Sequence, residues 1–322
     1  MKKRSLTVVI LVIVVVIITV IVVDFLNNRP DKRGSNPYAL KVEHFKDVDP
    51  ELISHKETRN LSLGSLKGSA LVYAEGKLFV AGDSSMVEMS PDGSDLSQFP
   101  IEPFPVSLLV EEQWIYVAYK TKVLQYDRDM NLVRSWKDLG ERAHITNLVG
   151  NGESIFVADA GNRQVIIYNA LGEVQGFFEG KAEIDAGHGF IVPSANFDLV
   201  VNSFGELWVV NPGRHALENY SDDGRLRGFW ENASFDIDGF LGCCNPARIT
   251  AMDDGSFVTS EKGLVRIKIY DQTGKLKSVV ASPAMFKEEG KAPDICTDAD
   301  GVVFALDFDR NAIRIFEPKS DE

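Results

Sequence analysis

Short stretches in which apolar and polar residues alternate, separated by turns, dominate the chain from about residue 39 onward, and no stretch there keeps a helical period. One strand in each repeat carries an aromatic residue near its centre. These aromatic residues are Phe79, Tyr116, Phe156, Trp208, Phe257 and Phe304. Successive members lie 37, 40, 52, 49 and 47 residues apart. Periods of this length, with four short strands in each, predict the blades of a β-propeller.

A second large residue follows each aromatic by 10 to 13 positions and marks the third strand of the blade. The six are Met89, Tyr126, Tyr168, Tyr220, Tyr270 and Phe316. Only a short polar tail follows Phe316, so the sixth blade lacks its outermost strand and would expose an unpaired edge. We expect the segment from Ile53 to Leu63 to supply this strand. The predicted fold is all-β: a six-bladed β-propeller over residues 39–322, with four-stranded antiparallel blades and an N-terminal strand that closes the last blade.

The N-terminus carries a separate apolar segment, Leu6 to Val23, which contains no charged residue. As a helix it spans about 27 Å, enough to cross the hydrocarbon core of a membrane. The basic residues in 1–5 and the acidic Asp24 predict a cytoplasmic N-terminus and a body on the other side. No run of small residues suited to cleavage follows, which favours an uncleaved transmembrane signal anchor over 6–23; a cleaved signal peptide is the alternative. Residues 24–38, rich in Asn, Pro and charge, predict a linker.

Charge excludes one class of partner. The formal net charge is −13, whereas a protein that binds nucleic acid needs clustered Lys and Arg to neutralise phosphates. We therefore expect no nucleic-acid partner. The expected location is the cell membrane, as a single-pass protein with the propeller on the extracytoplasmic side, and the expected partner is an envelope protein.

The repeats also resemble a known family. The run from Phe156 to Val165, which reads Phe-Val-Ala-Asp-Ala-Gly-Asn-Arg-Gln-Val, resembles the NHL repeat, and 210–215 and 306–311 are looser copies. Residues 242–246, with Cys-Cys-Asn-Pro, are similar to uncharacterised membrane-anchored bacterial NHL-type proteins. The resemblance implies a six-bladed propeller but no settled activity, because one propeller scaffold hosts both binding proteins and enzymes.

Candidate chemistry concentrates where the innermost strands are expected to begin, at the mouth of the central channel. Alignment of the blades on their aromatic residues brings a set of reactive side chains to this rim. The set comprises Cys243, Cys244, Cys296, His144, His188 and Asp294. In this alignment Cys296 is equivalent to Ile249.

Three roles are open for the thiols. They pack as small apolar groups or form a plain disulfide. Alternatively they are redox-active, through a Cys243–Cys244 or a Cys244–Cys296 bridge. The third role is a metal site in which Cys243, Cys244 and Cys296, with His144 or His188, bind a soft or borderline ion such as zinc or copper. No other cofactor is indicated.

Charged residues occupy the predicted turns of the fourth and fifth blades: Arg214, Glu261, Lys262 and Arg266. They are candidates for holding an anionic ligand or a partner loop; the alternative is exposed ion pairs worth less than about 1 kcal/mol each. No motif assigns a catalytic residue. The expected function is a binding or scaffold module for an envelope protein or a small ligand at the channel mouth. The alternatives are a redox or metal-binding protein and an NHL-like lyase or hydrolase.

Overall fold

The computed structural model describes residues 2–27, 45–181 and 189–320. The chain divides into two compact units, Met1–Val42 and Glu43–Glu322, and each is described by itself. In the first, helix α1 (Lys2–Asn27) contains a segment, Ile10–Asn27, that is long and apolar enough to cross a membrane, as an anchor or a signal sequence would be. The helix runs past the predicted end at Val23 because the next residues include Phe25 and Leu26, and the first helix-breaking residue is Pro30.

The second unit is built almost entirely of strands. In chain order they are β1 (His55–Ser62), β2 (Gly68–Ala74), β3 (Lys77–Gly82), β4 (Ser85–Met89), β5 (Ser97–Pro100), β6 (Ser107–Val110), β7 (Ile115–Ala118), β8 (Val123–Tyr126), β9 (Leu132–Ser135), β10 (Ile145–Gly150), β11 (Ile155–Asp159), β12 (Gln164–Tyr168), β13 (Val174–Phe178), β14 (Leu199–Val201), β15 (Leu207–Asn211), β16 (Ala216–Tyr220), β17 (Leu226–Glu231), β18 (Arg248–Ala251), β19 (Phe257–Ser260), β20 (Ile267–Tyr270), β21 (Leu276–Ala281), β22 (Asp294–Thr297), β23 (Val303–Asp307) and β24 (Ala312–Pro318). Two short 3₁₀ helices, Pro50–Leu52 and Pro283–Met285, accompany them.

These strands form six four-stranded antiparallel sheets, so the predicted six-bladed β-propeller is confirmed. Blades 1 to 5 each consist of four consecutive strands, from β2–β5 to β18–β21. Blade 6 takes β22, β23 and β24 from the C-terminus and its outermost strand, β1, from the N-terminus. The predicted closure is therefore also confirmed. Pairing along β1 runs from His55 opposite Pro318 to Ser62 opposite Ala312, which removes the edge that an open ring would expose.

Apolar side chains fill each interface between neighbouring blades. The six aromatic residues of the second strands are all buried there. An aromatic residue near the end of an outermost strand also packs on the third-strand tyrosine of the next blade: the ring centroids of Trp136 and Tyr168 are 4.6 Å apart, and those of Trp230 and Tyr270 are 5.2 Å apart. A long series of such contacts fixes the angle between blades.

Glycine is required where this packing is closest. Gly172, in the turn between β12 and β13, has a φ of +76°, and a Cβ atom there would lie 2.3 Å from Cδ1 of Trp136. Both the backbone conformation and the space exclude a side chain at this position.

Candidate functional site

One face of the propeller carries most of the predicted site residues. We call this the entry face. The innermost strands begin on it, and the turns between the second and third strands lie on it. Its longest connections are 179–198, between blades 3 and 4, and 232–247, between blades 4 and 5. Its turns include 212–215 in blade 4 and 261–266 in blade 5.

The innermost strands surround a central cavity of about 320 Å³. Strands β2, β6, β10, β14, β18 and β22 all contribute to its wall. At the entry end, five of the six blades place a polar or charged side chain at the same register position of the innermost strand. These side chains are Ser107, Asn147, Asp198, Arg248 and Asp294. Ala70 occupies the position in blade 1.

These polar groups connect neighbouring blades in sequence around the channel. Ser107 donates from Oγ to Oδ1 of Asn147 at 2.6 Å, and Nδ2 of Asn147 donates to Asp198. Oδ2 of Asp198 accepts from the backbone N–H of Ile249 at 2.9 Å in the next blade. Asp294 similarly accepts from the backbone N–H of Leu71 at 2.8 Å. Each side chain therefore satisfies a backbone or amide group that would otherwise be unpaired.

The carboxylates of Asp198 and Asp294 determine the charge of the cavity wall. The pKa of Asp198 is raised to about 6, chiefly by burial; the charge of Arg248 opposes this shift and that of Asp294 adds to it. Burial likewise raises the pKa of Asp294. The Nε atom of Arg248 lies 3.8 Å from Oδ1 of Asp294, but Arg248 is not among the residues that line the cavity. The charged side chains of the cavity wall, in the part of the chain that the structure describes, are the two aspartates.

A pair of free thiols lies at the start of blade 5. The Sγ atoms of Cys243 and Cys244 are 3.1 Å apart; Cys243 is exposed and Cys244 is buried. Nearby, Nδ2 of Asn196 donates to the backbone oxygen of Cys244 at 3.4 Å, and Nζ of Lys262 lies 3.5 Å from Oγ of Ser194. Cys243 and Cys244 thus lie on the entry face in the connection before β18, and neither lines the central cavity.

Cys296 lies elsewhere than the alignment placed it. It lies one residue before the last paired residue of β22, so it is equivalent to Thr250 and not to Ile249. The hairpins of blades 5 and 6 have the same length, but Phe257 is the first residue of its strand and Phe304 is the second, so an alignment on the aromatic residues is shifted by one. Cys296 consequently sits further along the cavity wall, in the apolar core between blades 6 and 1, where burial raises the pKa of its thiol well above the usual value.

Among the described residues, the thiols and His144 are not placed together as a metal site. Within residues 2–27, 45–181 and 189–320, no group of three or more His, Cys, Asp and Glu side chains is placed to hold a metal ion. His144 is half-buried, and its backbone N–H donates to Oδ1 of Asp159 at 2.9 Å. His188 lies outside the described residues.

Glu261 belongs to a buried ion cluster and not to an exposed pair. Its carboxylate accepts from Nε and Nη2 of Arg266 at 2.9 and 2.7 Å and lies 2.9 Å from Nζ of Lys268. All three side chains are fully buried. The two cations also donate to the backbone oxygen of Gly239, at 3.0 and 2.6 Å. The cluster therefore anchors the 232–247 connection, which carries the thiol pair, to the body of blade 5.

Arg214 and Lys262 remain accessible on the entry face. Arg214 pairs with Glu231 at 3.1 Å and lies over the ring of Phe229. This pair is part of the outer half of blade 4. Lys262 is instead beside the thiols, since its backbone N–H donates to Oδ1 of Asn245 at 3.0 Å.

Asn147, Asp198 and Arg248 were not predicted from the sequence. The signal that could have identified Asn147 and Asp198 is their position in the repeat. They occupy in blades 3 and 4 the position that the predicted Asp294 occupies in blade 6. The long 179–198 connection obscured this equivalence because it separates β14 from any recognisable turn.

Comparisons with known proteins agree with the fold. No family model matches the chain, and no curated protein matches it. Among solved structures, a streptogramin B lyase matches with a TM-score of 0.56 at 11% identity over 83% of this chain and 98% of that one. A catalytically inactive virginiamycin B lyase from Staphylococcus aureus with quinupristin gives 0.59 at 12% identity, over 82% and 100%. A protein of unknown function from Bacteroides caccae gives 0.52 at 13%, over 72% and 82%.

At these identities the matches define a class, the six-bladed β-propellers, and no activity. Within that class, this chain is similar to the lyase propellers along nearly their whole length.

Proposed function

We propose that the protein is a membrane-tethered binding module whose propeller takes a small cationic ligand at the entry end of its central channel. The observation that carries this proposal is the charge of the cavity: its wall contains the carboxylates of Asp198 and Asp294 and, among the described residues, no Lys or Arg. Carboxylates in a partly desolvated pocket attract a cation more strongly than they would in water.

The geometry leaves part of this charge available. Asp198 uses both carboxylate oxygens for hydrogen bonds within the ring of strands. Asp294 accepts from the Leu71 N–H through Oδ2 and also from the backbone of Ile295, while Nε of Arg248 lies 3.8 Å from its Oδ1. Its side chain is also 18% exposed. An ammonium group at the channel mouth would therefore contact Asp294 first and gain from the field of Asp198 behind it.

The tether and the setting complete the proposal. We propose that α1 anchors the protein in the cell membrane through Leu6–Val23, that the propeller is extracytoplasmic, and that an envelope protein is its macromolecular partner. The apolar segment of α1 and the basic residues before it support this orientation. Protease added to intact cells is expected to remove the propeller, and protection of the propeller until the cells are lysed would contradict the orientation.

Ligand chemistry is tested with probes of equal length and different charge. The full chain in non-ionic detergent is titrated calorimetrically with putrescine, butanediol and succinate, which share a four-carbon chain. We expect putrescine to bind and the neutral and anionic probes not to bind. Equal binding of succinate would contradict the proposal.

Two variants locate the site. Asp294→Asn keeps an oxygen for the Leu71 N–H and removes the charge, so putrescine affinity is expected to fall about tenfold or more, equivalent to about 1.4 kcal/mol. Asp254→Asn is the matched control, because Asp254 lies in the hairpin between β18 and β19 on the opposite face and pairs with Lys277. The control is expected to bind as the wild type does; equal affinity of all three proteins would refute the site.

A further inference from the structure

We propose that Cys243 and Cys244 form a thiol–disulfide exchange site that reduces an accessible external disulfide at the entry face. This inference is independent of the cation proposed for the channel. Both thiols are free, and their Sγ atoms are 3.1 Å apart, which is longer than a disulfide bond of about 2.05 Å but short enough for one sulfur to attack a bond formed at the other.

The two sulfurs differ in exposure, which assigns their order. Cys243 is exposed, so an external disulfide can reach its sulfur. Cys244 is only 2% exposed and cannot meet a bulky partner directly. Cys243 is therefore the sulfur that forms the mixed disulfide, and Cys244 is the sulfur that resolves it.

Hydrogen bonds of the next residue, Asn245, hold the segment that carries this pair in place. Asn245 donates from Nδ2 to the backbone oxygens of Leu241 at 2.6 Å and Lys262 at 3.1 Å, and its Oδ1 accepts from the Lys262 N–H at 3.0 Å. Nδ1 of His215 lies 2.8 Å from the backbone oxygen of Asn245. The segment that carries the thiols is thus fixed to the turns of blades 4 and 5, and the approach of the two sulfurs does not depend on a chance loop conformation.

Neighbouring groups favour ionisation of the resolving thiol. Burial opposes ionisation of Cys244, but hydrogen bonds with Ser194 and Cys243 and the charge of Lys262 outweigh it and lower the pKa of this thiol. The hydrogen bond with Cys244 raises the pKa of Cys243. A lowered pKa increases the thiolate fraction of Cys244 at a given pH and makes this sulfur a better leaving group when the reaction runs backwards.

The reaction balances without a metal or another cofactor. The pair starts as the Cys243 thiol and the Cys244 thiolate. The proton of Cys243 passes to the Cys244 thiolate; the Cys243 thiolate then attacks the external disulfide, and the first external group leaves as a thiolate. This leaving thiolate takes the proton of Cys244, whose thiolate attacks the Cys243 sulfur, forms the Cys243–Cys244 bond and releases the second external group as a thiolate. The external disulfide gains two electrons from the cysteine pair, and the one proton of the pair ends on the first released thiol.

Peptide mass spectrometry tests the proposal with oxidised glutathione as the probe. The reduced full chain in detergent is incubated with the probe, and the remaining thiols are alkylated after denaturation. We expect an internal Cys243–Cys244 disulfide in the wild type, with Cys296 alkylated. In Cys244→Ser we expect glutathione to remain on Cys243. A wild type that accumulates glutathione on Cys243 without the internal bond would overturn the proposal.

Three further variants separate the reactivity of the pair from that of the other groups. Cys296→Ser is the matched control and is expected to form the internal disulfide at the wild-type rate. Lys262→Met is expected to slow its formation several-fold at neutral pH and to move the midpoint of the pH–rate profile upward, because the Cys244 thiolate loses its cationic neighbour. An unchanged profile in Lys262→Met, or Cys243→Ser reacting as fast as the wild type, would also overturn it.

Discussion

Replacement of Glu261 by Gln should destabilise the propeller severely, although the two side chains have nearly the same shape. Glu261 pairs with both Arg266 and Lys268, and all three side chains are fully buried. The variant removes the charge of this carboxylate, so the two buried cations keep only neutral acceptors, the Gln amide oxygen and backbone oxygens, within hydrogen-bonding distance. Loss of one member of a buried ion pair costs about 3–5 kcal/mol.

The lower half of this range is expected, because one of the two cations can discharge. Burial lowers the pKa of Lys268 to about 8 even with Glu261 present, so without Glu261 its ammonium can lose a proton near neutral pH. The guanidinium of Arg266 cannot do so. We therefore expect a loss of about 3 kcal/mol in the free energy of unfolding, which for a domain of this size lowers the melting temperature by roughly 6–12 °C.

Urea unfolding at pH 7, followed by tryptophan fluorescence, measures this loss. Glu231→Gln is the matched control, because Glu231 is 50% exposed and pairs with Arg214 at 3.1 Å on the surface of blade 4. Its cost should stay below about 1 kcal/mol. Equal losses in the two variants would refute the structural role assigned to the buried cluster.

Three further outcomes follow from the same contacts. Gly172→Ala should cost about 1–3 kcal/mol more than Gly140→Ala in thermal unfolding, because both glycines have positive φ but only the first would place its Cβ against Trp136. Burial lowers the pKa of Lys268 from 10.5 to about 8. Between these two pH values the unfolded chain binds more protons than the folded chain, so the free energy of unfolding of the wild type relative to Lys268→Met should rise with pH across this window. Because burial raises the pKa of Asp198 to about 6, calorimetric affinity for putrescine should fall about tenfold from pH 7 to pH 5, whereas a pH-independent affinity would exclude Asp198.

The fold could be predicted because each blade repeats one buried pattern. In blade 3 the second-strand Phe156 packs against blade 4 and its third-strand partner Tyr168 packs against blade 2, so the recurrence of such pairs reports the period of the ring directly. The closure by β1 could also be predicted, since the sixth repeat visibly ends one strand short. The packing of Trp136 on Tyr168 could not, because it joins residues of two different blades and has no local period.

The site was predictable only in part, for a related reason. The position of Cys243 and Cys244 depends on the start of blade 5, which the repeat fixes. The position of Cys296 depends on where the aromatic residue stands in its strand, and the one-residue offset of Phe257 misplaced it in the alignment. Glu261 looked like a surface residue because turns are usually exposed, but the 232–247 connection folds over it and supplies backbone oxygens to its two cations.

The crystal structure of the full chain with putrescine tests the central claim most directly, because that claim places a cation between side chains that meet only when the ring closes. The account predicts an ammonium group at the entry end of the channel, within hydrogen-bonding distance of Asp294 and beside Asp198. Putrescine bound only on the opposite face, or a channel left empty at saturating concentration, would contradict it.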